Sequence, residues 1–390
     1  MNFLQKFFFK MNFSRRLSEG MGGARRSVYM CSLSSLLVAA LCLVSAGADL
    51  PAAVEGLASG DALSGLSSAA ARQKLDSMTQ NSGGLDDYAD YYVVDGQGYA
   101  KFRNYNAKNQ QAYVDALNLF AEKLPENMKM YSLLVPTSAE FDLSEKYSYL
   151  FPSQRQVIDE VYDALDDRFT TIDIYNILQS HKDEYLYFRT DHHWTARAGY
   201  LAYTKVAPAL GLQAQPESAY TWTDSGTSFL GSIYSATGCS GLSQGMDRLY
   251  YYKLPYDVSY TYWDNSGVPH SSKGVYKDWY LTQTNKYAFF MGGDLPYIKL
   301  VTGAGTGRKL AVIKDSYANT ILPFLTAHYD EIYVIDPRNS NFNALQIVEE
   351  NQPDDVLFIN YARVVCLPKF SAGLGDLLTR DYMQFKAEAK

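Results

Sequence analysis

Apolar positions change their period along this chain, and each change marks an element. Within residues 106–123, Tyr113, Ala116, Leu117, Phe120 and Ala121 recur at three- and four-residue spacing, which predicts a helix with one buried face. The run MKMYSLLVP that comes next is continuously apolar, the mark of a strand covered on both sides. QVIDEVYDAL is again amphipathic, and TTIDIYNIL restarts an extended run. Later the rhythm returns three times: RKLAVIKDS, a helix through NTILPFLTAHY, EIYVIDPR, a helix through NALQIVEEN, and DVLFINYARVV. Strands alternating with helices predict an α/β fold, a parallel sheet between helices. Before it, YYVVDGQGYA reads as a strand and turn. The alternation lapses at about 215–296, where Tyr, Gly, Ser and Thr dominate and apolar residues come in pairs, so a strand-rich insertion is expected there. No sequence repeat is convincing.

The first 85 residues follow other rules. Lys6, Lys10, Arg15, Arg16, Arg25 and Arg26 make 1–27 a basic n-region, and the uncharged run at 28–48 is apolar enough for a signal peptide or a membrane anchor. Its length of about 20 residues suits a spanning helix, while Ala46-Gly47-Ala48 offers a cleavage site, so both readings stay open. Either way the remainder is expected outside the cytoplasm, secreted or held to the membrane through 28–48. Residues 49–85 are rich in Ala, Ser and Gly and read as a flexible tether, leaving 86–390 as the folded domain.

Charge and cysteine content narrow the classes. The 390-residue chain carries a net charge of -7 and no basic stripe, which argues against a nucleic-acid partner. Only Cys239 and Cys366 lie beyond the apolar run, enough for one disulfide and no framework.

Candidate chemistry concentrates in YFRTDHHWTARAGY, residues 187–200. In an extended backbone alternate side chains share a face, so Asp191 and His193 are expected to point one way and His192 and Trp194 the other. Thr195 would cap a helix carrying Ala198, Leu201, Ala202 and Val206. A carboxylate that holds an imidazole in one tautomer frees the other ring nitrogen to take a proton from a hydroxyl. The same residues also suit a polar strand end, or a metal site. DHH occurs in manganese-dependent phosphoesterases together with an HxDxD cluster, and none of the five histidines here belongs to one. The best nucleophile is Ser316 in AVIKDSYAN, where a strand gives way to a helix. Asn360, at the end of DVLFIN, would reach the same sheet edge as an amide donor to an oxyanion. Arg338 beside Asp336 would bind a carboxylate or developing charge, or pair with Asp315 or Asp336. His328 is explained by a helix C-terminus. Among 33 tyrosines, Tyr220, Tyr260 and Tyr262, with Trp222 and Trp263, crowd the insertion, where exposed rings can stack on sugars.

TDHHWTARAGYLAY, with FLGSIYSATG, NKYAFFMGG and VIKDSYANTILPFLTAHYDEIYVIDPR, resembles the DHHW protein family of bacteria from residue 91 onward. That family is similar to the alginate O-acetylation proteins, and the resemblance implies an SGNH-hydrolase-like (flavodoxin-like) domain in permuted order, with Asp-x-His upstream of the serine. Asp191, His193 and Ser316 match those positions. Lys314-Asp315-Ser316 stands where Gly-Asp-Ser is usual, and the second-block glycine is not evident after EIYVIDPR. The activity implied by the resemblance is that of a serine-dependent O-acyltransferase or esterase acting on acetyl groups of a cell-surface polysaccharide. Ser316 would be its nucleophile, His193 the base and Asp191 the orienting acid. Asn360, Arg338 and Trp194 are the candidates for oxyanion or substrate binding. No cofactor or metal is expected, and a membrane-bound O-acyltransferase is implied as acyl donor. A non-catalytic glycan-binding or assembly protein, and a metal-dependent hydrolase, are the competing readings.

Overall fold

The structure, a computed structural model, describes residues 84–383. The expected basic segment 1–27, the apolar run 28–48 and all but the last two residues of the tether at 49–85 lie outside the described residues. No helix among the described residues is long and apolar enough to cross a membrane.

An antiparallel meander comes first: β1 (Leu85–Asp87), β2 (Tyr91–Val94) and β3 (Gln97–Ala100). Then α1 (Ala107–Lys123) starts at Asn106, whose side chain accepts the Asn109 N–H at 3.0 Å. The chain continues through β4 (Lys129–Val135), α2 (Gln154–Ala164), β5 (Phe169–Thr171) and α3 (Ala196–Ala209). A separate hairpin pairs β6 (Thr221–Phe229) with β7 (Asp247–Lys253), and β8 (Ser259–Trp263), β9 (Pro269–Lys273) and β10 (Tyr297–Val301) come after it. The last part is β11 (Lys309–Lys314), β12 (Glu331–Ile335), α4 (Ala344–Asn351), β13 (Asp355–Tyr361) and α5 (Pro368–Asp376).

Eight of these strands form one sheet in the order β5-β4-β13-β11-β12-β10-β8-β9. The first five run parallel, as the continuous apolar runs require, and all seven residues of β13 are buried. Phe358 of β13 meets Phe120 of α1 at 5.0 Å and Phe169 of β5 at 5.6 Å. This is the expected α/β architecture, a large sheet flanked by helices, with one addition. β10, β8 and β9 join the same sheet antiparallel to their neighbours, so it is mixed. Parallel pairing puts the C-terminal ends of β4, β13, β11 and β12 on one rim.

Three local expectations change. TTIDIYNIL forms only the short β5 before a helix at Tyr175–Ser180. NTILPFLTAHY is not one helix: Ser316–Thr320 is a 3₁₀ turn and only Leu322–Leu325 is α, with Pro323 at its start. Residues 189–193 are not extended but bend, closed by an isolated bridge between Tyr187 and Trp194 and by the Phe188 N–H to His193 carbonyl bond of 3.1 Å. Cys239 and Cys366 are buried free thiols, so the one disulfide their number permits is not formed.

That bend is anchored from β7. The buried Asp247 carboxylate accepts the N–H groups of Arg189 and Thr190, each at 2.7 Å, the Thr190 hydroxyl at 2.5 Å and the Tyr185 hydroxyl at 2.6 Å. The Arg189 guanidinium donates to the carbonyls of Gly96, Leu242 and Gly245, tying the bend to two further loops. Removing the carboxylate strands four donors, and a buried donor without a partner costs about 1–3 kcal/mol. Asp247→Ala is therefore expected to lower unfolding stability in urea by about 3 kcal/mol or more. A loss below about 0.5 kcal/mol, the size of an ordinary surface substitution, would show that the bend does not depend on this anchor.

Candidate active site

Ser316 sits just past the end of β11 on the common rim. Asp315 shapes the turn by spending both carboxylate oxygens on main-chain N–H groups, Oδ1 on Tyr317 and Oδ2 on Tyr361, each at 2.8 Å. Burial pushes its carboxyl up to about 6, against the pull of Arg338 and of these two N–H donors. The turn is too short to carry a helix dipole, so the expected helix N-terminus behind the serine is absent.

Asp191 and His193 do meet, but through a turn rather than an extended strand. Asp191 Oδ1 accepts the His193 main-chain N–H at 3.0 Å, a side chain closing on its own backbone two residues on, and lies 2.6 Å from His193 Nδ1. His193 Nε2 is 2.7 Å from Ser316 Oγ, across 123 residues of chain. The three residues are 4–7% exposed. Burial alone would raise the Asp191 carboxyl. Its contacts with His193 and His192 and the Ser232 N–H at 2.8 Å outweigh that, holding it well below the usual carboxylate range. An ionised Asp191 favours the His193 tautomer with Nδ1 protonated, which leaves Nε2 open to the serine proton.

His192 does not turn away as an extended backbone would have it. Its ring lies 3.8 Å from that of His193, and its Nδ1 is 2.7 Å from Ser232 Oγ. Ser232 Oγ also accepts the His192 main-chain N–H at 3.4 Å. Burial and the neighbouring His193 push the His192 pKa down to about 3, keeping the ring neutral.

Trp194 is wholly buried and donates Nε1–H to the Tyr317 carbonyl at 2.8 Å, which corrects its reading as a substrate contact. Asn360 reaches the rim, but its Oδ1 accepts the Tyr113 hydroxyl of α1 at 2.9 Å. The next residue, Tyr361, stacks on Tyr317, whose ring lies 5.6 Å from that of His193. Alternation along β13 puts the side chains of Asn360 and Tyr361 on opposite faces, Asn360 toward α1, and the Asn360 Nδ2 is buried without a partner among the described residues. Arg338 forks onto Asp336 at 2.9 and 2.6 Å and pairs with Asp294 at 3.0 Å. The buried Lys314 joins both acids at 3.0 and 3.3 Å. Burial would raise Asp294, but Lys314 and Arg338 hold it well below the usual range. His328 is bonded to Tyr203 at 2.6 Å. Of the insertion aromatics, Tyr220 and Tyr260 are buried, while Trp222 is 46% exposed and stacks on Tyr250.

Chemistry-bearing side chains that the residue pattern missed come from the insertion: Ser232, Tyr287 and Asp294. The first two lie in FLGSIYSATG and NKYAFFMGG, segments that carry the family resemblance, and nothing in their spacing announced a role. A cavity of about 460 Å³ opens beside Asp191, lined by Ser232, Ser235, Thr284, Asn285 and Lys286. Another hollow, about 420 Å³, lies by Lys129 at the opposite rim, remote from Ser316. Asp191, His192 and His193 offer three ligand atoms within 4.8 Å of one another. An ion there would have to take Nδ1 of His193 from Asp191 or Nε2 from Ser316. As arranged, the residues suit proton transfer from a hydroxyl rather than metal ligation.

The model of the DHHW protein family matches residues 76–335. A DHHW family protein from Eubacterium siraeum is similar in structure, with TM-score 0.67 and 26% identity over 77% of this chain and 98% of that one. Bacillus cereus PatB1, in a structure with a sulfonyl adduct, shares the fold at TM-score 0.61 and 20% identity, covering 74% of this chain and 98% of that one. The O-acetyltransferase domain of Pseudomonas putida AlgJ is a more distant likeness, TM-score 0.41 at 12% identity over 75% and 99% of the two chains. No curated relative matches the chain.

Gly231 faces the Asp191 side chain so closely that a Cβ would overlap it. Gly231→Ala is thus expected to displace the carboxylate and to slow sulfonylation of Ser316 by an arylsulfonyl fluoride about 100-fold, the cost of roughly 1 Å of misplacement. Gly241→Ala, whose Cβ would meet only Cys239 Sγ at 3.6 Å, serves as the control and should react at the wild-type rate. Equal rates in the two variants would mean that Asp191 placement is immaterial to the serine.

Proposed function

The chain belongs to the DHHW protein family, and from that premise we propose that it is a serine-dependent O-acyltransferase or esterase acting on acetyl groups of a cell-surface polysaccharide. The observation that carries this reading is the unbroken hydrogen-bonded path from Ser316 Oγ through His193 to Asp191. In the first step Ser316 Oγ attacks the acyl carbonyl while His193 Nε2 takes its proton, and Asp191 stabilises the imidazolium so formed. Collapse of the tetrahedral intermediate expels the donor oxygen, which receives that proton from His193 and leaves an acyl-serine. A glycan hydroxyl, or water in an esterase, then attacks with His193 as base, and the Ser316 oxygen departs with the proton. The Ser316 main-chain N–H is the donor this reading offers to the oxyanion.

Several features support it. The cavity beside Asp191 sets the Ser232, Ser235 and Thr284 hydroxyls and the Asn285 amide among the apolar Phe229 and Ala236, a mixed surface that can both stack on and hydrogen-bond a sugar. PatB1, of the same fold, has been captured with a sulfonyl adduct, a product expected of a nucleophilic side chain. The reading also places the domain outside the cytoplasm, with a membrane-bound O-acyltransferase as acyl donor, because the resemblance and the apolar run at 28–48 both point there.

With 4-nitrophenyl acetate, the folded protein is expected to show turnover that Ser316→Ala and His193→Ala reduce about 10⁴-fold. Unchanged turnover in both variants would leave the non-catalytic, glycan-binding reading in its place. Loss on chelation with recovery on manganese or zinc would replace it with metal-dependent hydrolysis.

A further inference from the structure

His193 has a second face partner besides His192. The Tyr287 ring lies flat on the imidazole, 3.6 Å between centroids and 4° between planes. The hydroxyl of the same residue donates to the Ser316 main-chain carbonyl at 2.9 Å. One side chain therefore touches both ends of the gap that a proton would cross. Burial holds its phenol well above the usual value, so the hydroxyl stays protonated and remains a donor.

The segment that carries Tyr287 is separate in the chain from the two it touches. Tyr287 belongs to the 3₁₀ turn Lys286–Phe289, whose ring neighbours Phe188 and Phe290 fix it from the side at 6.2 and 5.5 Å. A tyrosine that only filled the core would have no reason to lie parallel to an imidazole, nor to spend its hydroxyl on the carbonyl of the serine. The negative face of the ring also meets the imidazole at the moment it becomes a cation, where such contact is attractive.

We infer that Tyr287 is a positioning residue for the Ser316–His193 pair, its ring setting the plane of the imidazole and its hydroxyl setting the Ser316 peptide. The inference rests on the reading of Ser316 as the nucleophile. It does not require Tyr287 to touch substrate.

Two variants separate the parts. Tyr287→Phe keeps the stacked ring and loses only the hydroxyl. It is expected to lower kcat about 10-fold, the worth of one buried hydrogen bond. Tyr287→Leu loses both and is expected to lower kcat about 100-fold with KM nearly unchanged. The proton shared by His193 Nδ1 and Asp191 gives a downfield resonance that needs no turnover. It should persist in Tyr287→Phe and move or broaden in Tyr287→Leu. A folded Tyr287→Leu variant with kcat within about 3-fold of wild type overturns the inference, and so does one in which KM rises while kcat holds. If the wild type shows no turnover, the proposed acyl chemistry fails, and the resonance alone decides: unchanged in Tyr287→Leu, it overturns positioning. If Tyr287→Leu does not fold, Tyr287→Phe decides, and a kcat within about 3-fold of wild type overturns it.

Discussion

Two short turns, 123 residues apart in the chain, are laced together by three hydrogen bonds, and the arrangement of the site depends on that lacing. His193 Nε2 meets Ser316 Oγ, the Trp194 indole donates to the Tyr317 carbonyl, and the Tyr317 hydroxyl donates back to the His192 carbonyl at 2.5 Å. Consecutive residues of one turn thus grip consecutive residues of the other. A single contact between loops would leave rotation about it free. Three in series, two of them buried and the third partly so, leave the imidazole and the hydroxyl little choice of distance. Gly199 in α3 serves the same closeness, since a Cβ there would stand 2.8 Å from the Thr320 carbonyl that ends the serine turn.

Electrostatics divides the buried acids by their partners rather than by their depth. Asp191 and Asp315 are both buried, yet one is held ionised and the other is pushed up to about 6. Asp191 faces two imidazoles and two N–H donors; Asp315 has two N–H donors and only a remote guanidinium. The first arrangement favours the charge that an imidazolium needs beside it, while the second builds a turn. Lys314, without exposed surface, is kept between Asp294 and Asp336, with Arg338 closing the group at the rim. The lysine that replaces the usual glycine before Asp-Ser is therefore accommodated by two acids from neighbouring segments.

The strand-rich insertion does more than extend the sheet. Its hairpin supplies Asp247, which anchors the bend carrying Asp191, and the loop after β6 supplies Gly231 and Ser232, which seat that carboxylate. The segment before β10 supplies Tyr287 and Asp294. The parallel core thus presents the serine, and the inserted chain builds the walls that hold its partners.

Local periodicity determined the parts of this protein that depend on burial alone. The strands β4, β11, β12 and β13 and the helices α1, α2 and α4 could be read because a face that must leave water repeats at the period of its own backbone. Asp191, His193 and Ser316 could be singled out because few residue types can carry such chemistry. Tertiary structure alone decided the rest. An Asx closure, and not a strand, brings Asp191 to His193; Trp194 is a clamp because its acceptor lies far along the chain; and Asn360 turns to α1 because of its parity in β13. Ser232 and Tyr287 carry no periodic signal, since tyrosine and serine suit strands, turns and cores alike. Their roles come from what each meets across the fold, and a sequence records spacing along the chain but not distance through space.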